Sequence, residues 1–126
     1  MSNSKYAQDG NVISVTAGSA LTAGQPVVVG RLLGVAVTDI ANGAVGPVAI
    51  AGVYELPAVN GAAFVTGQPI VWDVSANSGA GYADDASATA ATGDLSLGCI
   101  SMETKTASAA GELVKVKLNV GPNTVA

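Results

Sequence analysis

The alternation of apolar and polar residues is clearest near the end of the chain. Val114, Val116, Leu118 and Val120 alternate there with Lys115, Lys117 and Asn119. A period of two places successive side chains on opposite faces of a strand, so one face is buried and the other is in solvent. The pattern predicts a half-buried strand over residues 113–120.

Shorter valine-rich runs, separated by glycine and proline, predict further strands. Valine favours strands because its branched Cβ packs well on a pleated surface. Turns are predicted at Gly30-Arg31 and Asn42-Gly43, and a bulge or bend at Gly52. No segment has an apolar stripe of helical period, so we expect an all-β fold, a small barrel or sandwich. The other predicted strands are residues 11–16, 26–29, 32–38, 62–65, 69–74 and 97–102, and residues 47–56 are predicted as one long strand or a bent pair of strands.

Two segments differ from this strand pattern. Residues 1–10 are polar and predict a flexible N-terminal arm before a single β domain at 11–126. Residues 75–95 are rich in Ser, Ala, Asn, Gly, Thr and Asp, which predicts a polar surface excursion with a hairpin around residues 77–79. A short helix over residues 84–91 is a weaker alternative, because Ser and Thr dilute its alanines.

The chain contains an internal repeat of three short motifs in the same order. Gly24-Gln25-Pro26-Val27 matches Gly67-Gln68-Pro69-Ile70, Leu33-Gly34-Val35-Ala36 matches Leu97-Gly98-Cys99-Ile100, and 46–50 loosely matches 111–115. Two copies are too few for a solenoid. They predict a barrel or sandwich built from two related β units.

Charged residues are scarce. They make up 11% of the chain, with five basic residues and a net charge of −4, against roughly 25% in ordinary soluble domains. Two interpretations remain open: other proteins cover much of the surface, or Ser, Thr, Asn and Ala keep it soluble. Nucleic-acid binding requires a basic footprint, which the sequence lacks.

The residues needed for catalysis or metal binding are missing. The chain has no histidine, which removes the most common general base and metal ligand. Its one cysteine, Cys99, lies in an apolar run and is expected to be a small buried residue. No phosphate-binding glycine motif precedes a plausible helix. We therefore expect no enzyme activity and no cofactor.

A calcium-like spacing exists but fits poorly. Asp73, Ser75, Asn77 and Asp84 occupy positions 1, 3, 5 and 12 of such a loop, but Ser78 stands where the loop requires glycine. Asp, Asn and Ser also stabilise turns without a metal, which is the preferred interpretation.

The chain shows no sign of a membrane or secretion segment. Its first ten residues have no apolar stretch, so no signal peptide is predicted. The longest apolar run, residues 27–37, is interrupted by Arg31 and is too short to span a bilayer. Synthesis in a cytoplasm is expected.

A few side chains are candidates for anchoring a partner. Tyr6 stands alone in the polar arm, and aromatic side chains often carry interface energy. Trp72 ends a predicted strand and is either core packing or an interface anchor. Tyr54 and Arg31 are further candidate anchors.

Taken together, the ordered motifs resemble a family of short tailed-bacteriophage proteins described as capsid cement or head decoration proteins. The motifs are Tyr6-x-x-x-Gly10, Gly24-Gln25-Pro26-Val27, residues 33–39, Gly52-Val53-Tyr54-Glu55-Leu56-Pro57, residues 67–73, Leu97-Gly98 and Val114-x-Val116-x-Leu118. The resemblance covers nearly the whole chain, and residues 75–95 are longer than the family leads us to expect.

This resemblance implies a β-barrel or β-tulip-like domain that binds the major capsid protein on the outside of the expanded phage head and stabilises the joints between capsid subunits. It also implies homotrimers, or sometimes homodimers, in the virion, with synthesis in the host bacterial cytoplasm. The arm is expected to add a strand to a capsid edge. The arm residues concerned are Ser4, Lys5, Tyr6, Gln8 and Asp9.

Other functions remain as alternatives. A host-surface or glycan-binding module of a phage fibre or tail would need exposed aromatics, for which Trp72 and Tyr82 are the candidates. A subunit of a microcompartment or tail structure is a further alternative, since one fold serves many functions.

Overall fold

The computed structural model describes residues 10–126 and confirms the all-β prediction. Strands account for 44% and helix for 3%, in two antiparallel sheets of which one is a curled half-barrel. The predicted arm lies almost entirely outside the described residues.

The first sheet has four strands in the order β1-β4-β3-β2. They are β1 (Val12–Thr16), β2 (Pro26–Val29), β3 (Leu32–Ala36) and β4 (Val45–Ala49). Gly30 and Arg31 join β2 to β3 in the predicted tight turn, where Gly30 adopts a φ of 59°. A side chain is disfavoured at that angle, which explains the glycine.

The second sheet has the path β5-β9-β8-β6-β7, with β10 also paired to β8. The backbone of residue 83 lies next to that of residue 58, and Val59 N–H donates to the carbonyl of Ala83 at 2.9 Å. β7 therefore returns towards β5 and curls the sheet. The strands are β5 (Val53–Pro57), β6 (Pro69–Asp73), β7 (Tyr82–Asp84), β8 (Leu95–Ser101), β9 (Leu113–Lys117) and β10 (Thr124–Val125).

Several predicted elements take a different form. Of the two forms predicted for residues 47–56, the structure has the bent pair: β4 and β5 lie in different sheets on either side of Gly52, which adopts a φ of 107°. Residues 62–65 form a single bridge from Phe64 to Lys105 rather than a strand. The helix over 84–91 is absent because the Asp85 carboxylate binds the N–H and hydroxyl of Ser87, which favours a turn over a helix.

Residues 75–95 are only partly a surface excursion. The predicted hairpin is present, since a short 3₁₀ turn at Asn77–Gly79 joins β6 to β7. However, Ala83 is fully buried and Leu95, which begins β8, is 1% exposed. The sequence prediction missed this contribution to the core because β7 has only three residues.

Strand β9 confirms the predicted alternation, with one exception. Val114, Val116 and Leu118 are buried, and Lys115 and Lys117 are exposed. Val120 was expected to be buried too, but it is 51% exposed. The strand ends at Lys117, and Asn119 turns the chain with a φ of 46°, so the period of two does not continue.

The core is shared unequally between the sheets. The larger cluster combines Leu33 and Val35 of β3 with twelve buried residues of the second half, among them Phe64 and Trp72. A smaller cluster lies on the opposite face of the first sheet, where Leu21 and Ile40 cover β3 and β4.

The two sheets share a pattern of turn hydrogen bonds. Gly24 N–H donates to Ala36 and Gly67 N–H donates to Ser101, both at 2.8 Å. In the next turn, Gly43 N–H donates to Ala17 and Gly111 N–H to Ala58, both at 2.9 Å. The four strands β5-β9-β8-β6 also follow the same order as β1-β4-β3-β2. We call residues related by these bonds and strands equivalent positions.

These equivalences do not follow the predicted motif matches throughout. The Gly-Gln-Pro turns agree, but the hydrogen bonds relate Ala36 to Ser101, whereas the motif match pairs Ala36 with Ile100. The cause is a bulge in β8, where the pairing with β6 shifts register and Leu97 adopts a φ of 71°. The internal repeat is therefore not confirmed in the form that the sequence predicts.

Candidate interaction surface

Charge is distributed unequally between the two halves of the described chain. Residues 10–51, which contain the first sheet, carry two charged residues, Arg31 and Asp39. Residues 52–126 carry ten: Glu55, Asp73, Asp84, Asp85, Asp94, Glu103, Lys105, Glu112, Lys115 and Lys117. Interface cores are depleted of charge, so the first sheet is the better candidate for a surface that another protein covers.

Exposed valines lie on one face of this uncharged sheet. The exposed fractions are 41% for Val12, 37% for Val28 and 67% for Val45. Directly paired residues share a face, and the register places all three on the face that carries Leu33. Val37, 49% exposed, continues this face beyond β3. We call these four residues the valine surface.

A cleft between the two sheets adjoins the valine surface. It has a volume of about 380 Å³ and is lined by Val35, Val37, Tyr54 and Glu55, together with Gly24 and Ala36. Tyr54 is half-buried and packs against the larger core cluster. The predicted anchor Tyr54 is thus placed next to Val37, where a partner side chain can reach both.

Two asparagine side chains connect the two sheets near the start of β3. The side-chain amide of Asn119 accepts from Leu33 N–H at 3.0 Å and donates to the carbonyls of Leu33 and Ile50 at 2.8 Å. Asn123, 2% exposed, accepts from Gly98 N–H and donates to the carbonyl of Arg31. The two amides thus connect the end of the second sheet to the backbone of residues 31, 33 and 50 in the first half of the chain.

The predicted site residues have different surroundings. Arg31 is exposed in the β2–β3 turn. Trp72 is 2% exposed and belongs to the core, so it has almost no surface to offer a partner. Ser4, Lys5, Tyr6, Gln8 and Asp9 lie outside the described residues. Cys99 is buried, and burial raises the pKa of its thiol.

Two acidic side chains next to the second sheet accept hydrogen bonds from backbone N–H groups. Asp73 accepts from the N–H groups of Ser75 and Ala76, and Asp94 accepts from those of Val74 and Ala91. Among residues 10–126, no group of three possible metal-ligating side chains is found. The calcium-like spacing is accounted for by turn hydrogen bonds.

Two neighbouring carboxyls in this region have opposite pKa shifts. Burial, with the charges of Asp85, Asp73 and Asp94 contributing, raises the pKa of Asp84. The hydroxyl of Ser87 and several backbone N–H groups lower the pKa of Asp85. On the exposed face, Lys105 and Glu112 form an ion pair at 2.7 Å, of a kind that contributes little stability.

The valine surface was not identified from the sequence. The signal was available, because 42 consecutive residues with two charges stand out in a chain with fourteen. The alternation along each strand places valines on both faces of the first sheet, so the sequence alone does not show which valines are exposed.

In the described part of the chain, no helix has the length and apolar character required to cross a membrane.

Comparison with protein-family models identifies a family for this chain. The family model described as phage cement protein matches residues 7–118 of the chain. No curated protein matches the sequence. The matched range includes both sheets, except for β10, and the whole valine surface.

Proposed function

The chain belongs to the phage cement protein family, and from this premise we propose that it binds the outside of the expanded phage head and stabilises the joints between major capsid subunits. The family supports a structural, capsid-associated role. The observation that carries the finer proposal is the uncharged first sheet with its valine surface. We further propose that the protein is not an enzyme and that it works as a homo-oligomer, a trimer in the first instance.

The valine surface supplies the proposed contact with the shell. Its four valines are exposed on one face of the sheet. Strands β1 and β4 carry no charged residue. Covering apolar area contributes about 25 cal/mol per Å² removed from water, without the desolvation cost of buried ions. The charged outer face of β9, with Lys115 and Lys117, then remains in solvent.

The arm supplies a second proposed contact. Residues 2–9 include Ser4, Lys5, Tyr6, Gln8 and Asp9 and are followed by the turn at Gly10 and Asn11 that precedes β1. An extended segment can add a strand to an exposed capsid edge, in which main-chain bonds give affinity and a side chain such as that of Tyr6 gives specificity. Eight extended residues reach at most about 26–29 Å, so the arm can contact capsid surface well beyond the edge of β1.

Stabilisation follows from selective binding. A protein that binds the expanded shell, but not its precursor, shifts the equilibrium towards the expanded state by mass action. With many copies on one shell, a modest affinity per copy is sufficient.

The fibre or glycan-binding alternative loses support. It requires exposed aromatic side chains, and Trp72 is buried while Tyr82 is only half-exposed. We do not propose it further.

Deletion of residues 2–9 tests the arm contact. The shortened protein should keep its circular dichroism spectrum and melting temperature, since both sheets lie within residues 10–126, but lose co-sedimentation with expanded heads. The matched control replaces residues 2–9 with a Gly/Ser segment of equal length. Full binding by the deletion variant contradicts the arm contact, and full binding by the Gly/Ser variant contradicts the role of the arm side chains.

A further inference from the structure

The edge of β6 and the equivalent edge of β2 differ in one respect. In the second sheet, β7 pairs with the outer edge of β6 through Val71 and Asp73. In the first sheet, β2 is a terminal strand of the path β1-β4-β3-β2, and within residues 10–126 no strand pairs with its outer edge. The position equivalent to Val71 is Val28.

The outward-facing backbone of β2 is available for pairing. Val27 and Val29 lie opposite Gly34 and Leu32 in the β2–β3 hairpin. In an antiparallel pair, alternate residues direct their N–H and C=O groups away from the partner strand. Gln25 bonds to β3 through its carbonyl, so Val28 is at an outward position.

The opposite edge of the same sheet offers a complementary strand. Ile50 N–H donates to Asn11 and Ala17 N–H donates to Ala44, so the odd-numbered residues of β1 bond towards β4. Ser14 and Thr16 therefore face outward. β1 runs antiparallel to β4, β4 to β3, and β3 to β2, so β1 and β2 run in opposite directions.

We propose that β2 pairs with β1 of a second copy of this chain, in an antiparallel arrangement with Val28 opposite Ser14. The contact is head-to-tail, because the two edges are different, and it closes into a ring when the rotation between copies allows.

The side chains support this register. Ile13 and Val15 are half-buried and lie on the same face as Val27 and Val29. In the joined sheet, Ile13 and Val15 of the second copy lie beside Val29 and Val27.

There is also space for them. A cleft of about 270 Å³ runs along this side of β2 and is lined by Leu21, Val27, Val28, Trp72 and Val74, together with polar and small residues. Aliphatic side chains of the added strand can enter it.

The composition of the two edges is consistent with a covered state. Native proteins protect free edge strands with charges, prolines or bulges. β1 and β2 carry no charged residue, and Pro26, the proline of β2, stands at its first position. Pro69 occupies the equivalent position in β6, which is paired to β7 further along, so a proline there does not prevent edge pairing.

A proline at Val28 tests the contact. Val28→Pro removes the outward N–H while the bonds of Val27 and Val29 to β3 remain. The full-length wild-type protein should sediment as an oligomer, and Val28→Pro as a monomer with an unchanged near-ultraviolet signal from Trp72. Val28→Ala keeps the N–H and should remain an oligomer.

Cysteine cross-linking tests the proposed register by a measurement that does not depend on how Val28→Pro affects folding. In a Cys99→Ala background, Ser14→Cys protein mixed with Val28→Cys protein should form a disulfide-linked dimer, since paired Cα atoms about 5.5 Å apart are within disulfide reach. Neither protein alone should do so. Cross-linking of Val28→Cys by itself overturns the head-to-tail arrangement.

Two further outcomes overturn the proposal. One is a wild-type chain that is monomeric at all concentrations tested. The other is a Val28→Pro protein that stays oligomeric but no longer binds expanded heads, which assigns the β2 edge to the capsid instead. The proposal rests on the homo-oligomer of the proposed function but not on capsid binding, so these results leave the proposed capsid contact testable by itself.

Discussion

At equivalent positions, the second sheet carries larger and more deeply buried side chains than the first. Phe64 stands where the first sheet has Leu21, Leu56 where it has Val15, and Trp72 where it has Val29. Leu56 is 1% exposed and Trp72 2%, whereas Val15 and Val29 are only half-buried. The two sheets thus share a strand order but differ in the size and burial of their side chains at equivalent positions.

The difference assigns different tasks to the two sheets. The second sheet buries its concave face against β3 and covers the edge of β6 with its own strand β7, while Glu55 of β5 and Lys115 and Lys117 of β9 are exposed. The first sheet leaves valines and half-buried aliphatic residues exposed, no strand within residues 10–126 pairs with the outer edge of β1 or β2, and residues 10–51 carry two charges. From this difference we infer that the second sheet supplies most of the stability of the fold, whereas the first sheet supplies the proposed contacts.

Replacing the equivalent residues Trp72 and Val29 should give the largest contrast in stability. Trp72→Ala removes a buried indole and should cost about 3–5 kcal/mol of unfolding free energy. Val29→Ala removes two methyl groups from a half-buried site and should cost about 1 kcal/mol. Urea unfolding followed by circular dichroism measures both, since Trp72→Ala removes the only tryptophan. Equal losses would contradict the asymmetry of the cores.

The asparagine junction should be the next largest contributor. Asn119→Ala leaves the N–H and carbonyl of Leu33 and the carbonyl of Ile50 without their partner. Each buried unsatisfied group costs about 1–3 kcal/mol, and water entry reduces the sum, so we expect a loss of about 2–3 kcal/mol. The control Asn60→Ala, at an exposed turn, should cost under about 0.5 kcal/mol. A similar small loss for both would show that the two sheets hold their angle without Asn119.

Packing of the turn between β6 and β7 on Trp72 is tested by two glycines with nearly the same backbone φ angle. Gly79 and Gly81 have φ values of 91° and 92°. A Cβ on Gly79 meets open space, whereas one on Gly81 overlaps the Trp72 indole. Gly81→Ala should therefore cost about 1–2 kcal/mol more than Gly79→Ala. If the two variants melt at the same temperature, the hairpin does not pack on Trp72 in solution.

The smallest expected effect on stability concerns the carboxyl groups of Asp84 and Asp85, in residues 75–95. The raised pKa of Asp84 means that its ionised form destabilises the fold, so this cost appears as the pH rises above the ordinary range of the group and is complete at neutral pH. Asp84→Asn should increase stability at pH 7 by no more than about 0.5 kcal/mol and have no effect near pH 2.

Asp85 provides the control of opposite sign. Its lowered pKa reflects hydrogen bonds that stabilise the fold above the ordinary range and are lost as the pH falls. Asp85→Asn should therefore decrease stability at pH 7. Changes of the same sign in both variants, measured by thermal melts at pH 2 and 7, would contradict the assignment.

Local patterns were sufficient to predict much of the fold. Strand alternation located β9, and the Gly-Gln-Pro turns located the starts of β2 and β6. The bulge at Leu97 was not predictable, because it depends on Asn123, which lies 25 residues away in sequence and accepts from Gly98 N–H. β7 was missed because three residues give too short a pattern for periodicity to detect.

The interaction surface was only partly predictable. Tyr54 and Arg31 were named from residue type, and Trp72 was named for the same reason although it is buried. The valine surface depends on which strand edges and faces the second sheet leaves uncovered. That information lies in long-range packing, not in the local pattern.

The most direct test compares two equivalent exposed positions on the two sheets. Val45, 67% exposed, and Leu113, 50% exposed, occupy equivalent positions in β4 and β9. Val45→Lys, Leu113→Lys and the wild-type protein are mixed with expanded phage heads and with unexpanded procapsids, and the pelleted protein is measured. We expect wild type and Leu113→Lys to bind expanded heads only, and Val45→Lys to lose binding at least tenfold. Binding of Val45→Lys at the wild-type level, or loss of binding by Leu113→Lys alone, would contradict the assignment of the first sheet to the capsid contact.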